Sequence, residues 1–143
     1  MINLNDKISK LELIKSTIDR ITNDSVAKID EFILNLNRSQ LKRGLTDKGN
    51  PIKPSYSISY KKYKKERGFP INKVNLKLEG DFHGSFTIEY GPDYFEIIAL
   101  DVKSDRLEDR YGENIFGLTP KSIAKMNKKL KPIILREIKR IFR

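Results

Sequence analysis

The residue pattern predicts an α+β fold in which helices pack on a small antiparallel sheet, with N-terminal helices and a C-terminal helix. Three observations carry this. Apolar residues recur at helical spacing before residue 43 and after residue 119, the period that lays one face of a helix on a core. Between them, Val74, Leu76 and Leu78, then Phe86, Ile88 and Tyr90, alternate with polar residues as in a strand buried on one side. The length of 143 residues is that of one ordinary domain able to bury its own core, and no cysteine is present to supply disulfides or thiolate ligands.

In chain order, residues 1–43 hold Ile8, Leu11, Leu13, Ile14, Ile18 and Ile21 at helical spacing, with Asn5 or Asp6 as the cap. Thr22-Asn23-Asp24-Ser25 interrupts the pattern with four residues that favour caps and turns, and Val26, Ile29, Phe32, Ile33 and Leu36 resume it until Gly44. Two consecutive helices, or one long bent helix, open the domain. Residues 44–73 are punctuated by Gly44, Gly49, Pro51, Pro54, Gly68 and Pro70, too often for a long helix. Within them, Tyr56, Tyr60 and Tyr63 are spaced by four and three among lysines. We read this as the apolar stripe of a short helix capped by Ser55 or Ser57; the alternative is that the tyrosines stack on bases while the lysines meet phosphates.

Residues 74–100 are read as antiparallel strands. Val74–Leu78 forms the first, Gly80 to Ser85 a compact turn in which Phe82 and Phe86 also fit one helical turn, and residues 86–90 and 94–100 a hairpin about Gly91-Pro92-Asp93. Residues 101–118 are a charged loop or helix, in which mixed signs at helical spacing indicate a solvated face; Ile115 and Phe116 anchor its end. Residues 119–143 read as a basic helix capped by Thr119 with Pro120 at the first helical position, and Pro132 is expected to kink or split it.

The net charge is +10 and unevenly placed. Residues 119–143 hold nine Lys/Arg against Glu137, and residues 42–67 nine against Asp47 and Glu66. Such an excess favours a polyanion or an acidic protein surface, so the candidate contacts are Lys61, Lys62, Lys64, Lys65, Arg67, Lys125, Lys128, Lys129, Arg136, Lys139 and Arg140. No basic segment followed by an apolar run marks a secretory signal, and no stretch nears the ~20 apolar residues of a membrane span, so a chain made in the cytoplasm with no membrane partner is expected.

Catalytic constellations are not legible. His83 is the single histidine, and Asp81 and Ser85 flank it at alternating positions of one local segment, which does not deliver triad geometry. A hydrogen-bonding role for His83 and a turn-capping role for Asp81 are expected. Asp101, Asp105 and Glu108 as a magnesium site are opposed by Lys103, Arg106 and Arg110 among them. The reading is no enzyme, no cofactor and no metal.

Gln40 to Gly49, Ser55 to Gly68, Leu76 to Phe86 with its Leu78, Gly80, Phe82, Ser85 and Phe86, and then Tyr111 to Leu118 with its Phe116, Gly117 and Leu118 before a closing helix together resemble the tailed-phage virion morphogenesis proteins, also called tail-completion or head–tail connector proteins. Glu79 replaces the family's usual threonine, Phe82 its frequent leucine, and Asn114-Ile115-Phe116-Gly117-Leu118 its Arg-Pro-Phe-Leu-Gly run. The resemblance implies a structural virion subunit at the head–tail junction or tail end (connector, tail-completion or tail-terminator). It would form a ring with copies of itself and join neighbouring connector, portal-side or tail proteins, with packaged DNA as a partner for the basic face. The alternative from another class is a small basic nucleic-acid-binding protein.

Overall fold

The computed structural model describes residues 3–78 and 80–142. Among the described residues the fold is α+β: six helices and a two-stranded antiparallel sheet. Helix α1 spans Leu4–Lys28 and α2 spans Asp30–Lys42. Asn3, not Asn5 or Asp6, caps α1 by accepting the Asn5 N–H. The expected break at residues 22–25 is absent because those side chains are satisfied without leaving the helix. The Thr22 and Ser25 hydroxyls donate to the carbonyls of Ile18 and Ile21, at 2.9 and 2.7 Å, and Asn23 Nδ2 donates to the carbonyl of Gly91 at 2.8 Å. The chain bends at Ile29, whose backbone leaves the helical region.

Helix α3 spans Ile58–Glu66, with the Ser57 side chain accepting the Tyr60 N–H. The short helix is observed, but Tyr56 precedes it and Tyr63 is exposed, so the three tyrosines do not form its buried stripe. The first expected strand is not formed. Residues 74–78 are irregular, and Leu76 takes the left-handed region at φ 55. Side chains claim the segment's backbone: the Tyr56 hydroxyl accepts the Leu76 N–H at 2.9 Å, Asn75 Oδ1 accepts the Lys77 N–H at 3.1 Å, and the Lys77 carbonyl accepts from Lys64 Nζ at 2.9 Å. Alternation in the sequence therefore reports burial of Val74 and Leu76 without a sheet partner. Glu79 lies outside the described residues. Gly80, at φ 96, opens the single-turn helix α4, Asp81–Gly84, a left-handed start that a glycine adopts without strain.

Strands β1, Phe86–Tyr90, and β2, Phe95–Ala99, pair with Phe86 opposite Ala99 and Ile88 opposite Ile97. At the turn, a side chain on Gly91 would collide with the Tyr94 ring. Helix α5, Ser104–Tyr111, leads through a 3-10 turn, Glu113–Ile115, to α6, Pro120–Ile141. Thr119 caps α6 by accepting the Ser122 N–H, with Pro120 at its first turn as expected. Pro132 does not split α6. Pro132 and Lys128, whose carbonyl loses its donor, are both exposed, so water can serve that carbonyl. The core gathers Ile33 and Leu41 of α2, Phe86 and Ile97 of the hairpin, Ile115, and Met126 of α6.

Candidate functional site

The sequence-predicted cations fall into two groups on different elements. On α3, Lys62 and Lys65 are exposed and Lys61 is half-buried; just beyond it, the Arg67 guanidinium lies 3.5 Å from the Tyr63 ring centroid. Lys64 corrects the expectation. It is 0% exposed, and its Nζ donates to Asn75 Oδ1 at 3.0 Å and to the Lys77 carbonyl at 2.9 Å while standing 4.6 Å from the Tyr56 ring centroid. That ammonium joins α3 to the irregular segment and offers nothing to a phosphate. Burial lowers its pKa below the usual lysine value and raises that of the adjacent Tyr56 phenol to about 12. Tyr56 is itself buried and cannot stack on a base. On α6, Lys125, Lys128, Lys129, Arg136, Lys139 and Arg140 are exposed, with Lys129 Nζ 4.5 Å from the Phe32 ring centroid and Arg140 2.7 Å from Glu137.

His83 has the hydrogen-bonding role expected of it. Its Nε2 donates to the Asn75 carbonyl at 2.8 Å, the ring stacks on Phe86, and Nδ1 is buried with no partner among the described residues. Burial, followed by nearby cations, depresses its pKa below the ordinary 6.5, so the ring is neutral at pH 7. Asp81 is exposed and its side chain makes no capping bond; the Ser85 hydroxyl donates to the Phe82 carbonyl, and neither residue bonds His83. Among the described residues no group of three or more His, Asp or Glu could hold a metal ion.

The segments that carry the family resemblance meet in the core. Phe82 and Phe86 pack edge to face at 5.0 Å, and Phe116 approaches them at 6.2 and 5.9 Å. Buried Gln40 holds the following loop, with Nε2 donating to the Gly117 carbonyl at 3.2 Å and Oε1 accepting the Thr119 N–H at 2.9 Å. Leu78 and Leu118 are half-buried beside them. These residues build the fold and leave no reactive group free.

Two surfaces that the sequence reading did not single out have the character of contact sites. The first is the N-terminal half of α1. Residues 3–16 are all exposed, and Leu4, Ile8, Leu11, Ile14 and Ile18 lie open along one helical face. The same face continues into Ile21 and Ser25, which are buried in the body of the molecule. The arm from residue 4 to residue 18 is about 22 Å long. The signal was visible as periodicity, but periodicity reports that a stripe is to be buried and not where.

The second surface is α5 and the two clefts on its flanks. Leu107 and Tyr111 pack on the core, Asp105 and Glu108 lie on one flank, and Lys103, Arg106 and Arg110 on the other. The acidic flank borders an open cleft of about 600 Å³ floored by Phe95, Ile97, Leu118 and Met126 and bearing Asp47, Glu96 and Glu113 as well. The basic flank borders a cleft of about 400 Å³ lined by Tyr56, Tyr60, Leu76 and Phe82. None of these carboxylates or α5 cations makes an ion pair among the described residues. Like charges stand four apart within α5, Asp105 with Asp109 and Arg106 with Arg110, each pair costing an isolated helix about 0.2–0.5 kcal/mol. That spacing is the sequence signal of a charge-segregated helix. Compared with protein-family models, curated proteins and solved structures, the chain matches none.

Proposed function

We propose that this chain is a structural subunit of a phage virion, a connector, tail-completion or tail-terminator protein that assembles with copies of itself and joins neighbouring virion proteins. The observation that carries the reading is the helical arm. The first fifteen residues of α1 leave Leu4, Ile8, Leu11, Ile14 and Ile18 exposed, and a helical stretch of that length with little tertiary packing is marginal in water. Such a stripe is stable when another chain covers it. The resemblance of residues 40–49, 55–68, 78–86 and 111–118 to head–tail proteins supplies the context in which a small chain would carry one.

Mass spectrometry of purified particles tests this: the protein is expected as a component at a fixed low copy number. Its absence from particles, together with a purified chain that stays monomeric, would remove the reading. The exposed cations along α6 favour a second one, nucleic-acid binding, in which affinity for DNA falls steeply with added salt. Binding that is undetectable at low ionic strength excludes it.

A further inference from the structure

Helix α5 is the place where this molecule departs most from ordinary charge economy. On a solvated helix, opposite charges at spacings of three and four neutralise one another locally. Here, apart from Arg106 and Asp109 at a spacing of three, they are sorted onto opposite flanks, with like charges at the spacing of four and no ion pair among the described residues to offset the repulsion. Each flank then continues into a cleft that extends its character. Asp105 and Glu108 join Asp47, Glu96 and Glu113 around an apolar floor, while Lys103, Arg106 and Arg110 rise beside tyrosines and leucines. Asp47 adds a buried Oδ1 that has no donor among the described residues.

We infer that the two flanks of α5 are the two halves of one contact between copies of this chain, the acidic flank of one copy meeting the basic flank of the next. This rests on the assembly reading and names the surface that serves it. The occupant is identified by charge. Two copies each carrying +10 repel at long range, so a stable contact must bring the minority carboxylates against cations. The acidic cleft gathers five such carboxylates, and its complement lies on the other side of the same helix. A contact between different surfaces of identical chains is head-to-tail, the kind that propagates and closes into a ring when its rotation allows.

Charge reversal tests the pairing. One full-length variant carries Arg106→Glu with Arg110→Glu, the other Asp105→Lys with Glu108→Lys; all four side chains are exposed, and circular dichroism verifies folding. Sedimentation is measured at low salt for each alone and for their equimolar mixture. Each variant alone should lose roughly tenfold or more in apparent self-association. The mixture should recover it, because every contact in an alternating assembly is again complementary. Variants that associate like the parent, or folded variants that fail to recover on mixing, overturn the α5 contact and leave the assembly reading standing. If a reversal pair unfolds, Arg106→Gln with Arg110→Gln serves instead, with weaker association expected and parental association overturning the contact. A parent that never associates overturns the α5 contact, and with absence from particles it overturns the assembly reading as well.

Discussion

Lys64 illustrates how one residue can mislead a compositional reading and still organise a fold. An ammonium removed from water costs several kcal/mol unless acceptors surround it, and Lys64 finds Asn75 Oδ1 and the Lys77 carbonyl, with the Tyr56 hydroxyl 3.5 Å away. Lys64→Ala should destabilise the chain by about 2–4 kcal/mol, since it opens a cavity and leaves the Lys77 carbonyl without its donor. Lys64→Met should lose less, because it keeps the packing and removes the buried charge; urea melts read the order. His83 makes a pH prediction. Its folded pKa is depressed, so below 6.5 the unfolded chain binds more protons than the folded one, and stability present above 6.5 is lost as pH falls through the folded value. Melting temperature should therefore fall between about pH 7.5 and about pH 5, and fall less in His83→Gln. Among sequence neighbours, Lys64 was indistinguishable from Lys61, Lys62 and Lys65, because nothing local says which lysine meets the Tyr56–Asn75 pair.

At the scale of elements, capping and hairpin chemistry was legible and burial partners were not. Thr119-Pro120 marked the start of α6, Ser55 or Ser57 the start of α3, and Gly91-Pro92-Asp93 the β1–β2 turn, because each acts within a few residues, whereas the α1 cap fell on Asn3 and not on Asn5 or Asp6. The alternation at Val74, Leu76 and Leu78 was real, but Tyr56 and Lys64, distant in sequence, took the backbone groups a strand needs. Thr22 and Ser25 did not end α1, since their hydroxyls bond back to its own carbonyls. The arm carries its own prediction. In the free chain, amides of residues 4–18 should exchange with solvent far faster than those of α2, and they should become protected in the assembled state. Equal protection in both states would show that the arm needs no partner.

The whole molecule separates its fold-building residues from its contact surfaces. Gln40, Phe82, Phe86, Phe116 and Gly117, the residues of the family likeness, meet in the interior and fix the loop before α6. The arm, the α6 cations and the two flanks of α5 lie outside that frame, on the surface that the proposed assembly would use. Of these surfaces only the α6 cations could be read from composition, since the arm and the α5 flanks depend on which side of each helix the core occupies. Sedimentation of the full chain beside a chain beginning at Asp19 tests the account most directly. It predicts a discrete oligomer for the full chain and, for the shortened one, a folded protein that keeps the α5 flanks and associates more weakly. A full chain that sediments as a monomer at every concentration, or a shortened chain that assembles as the full one does, would contradict it.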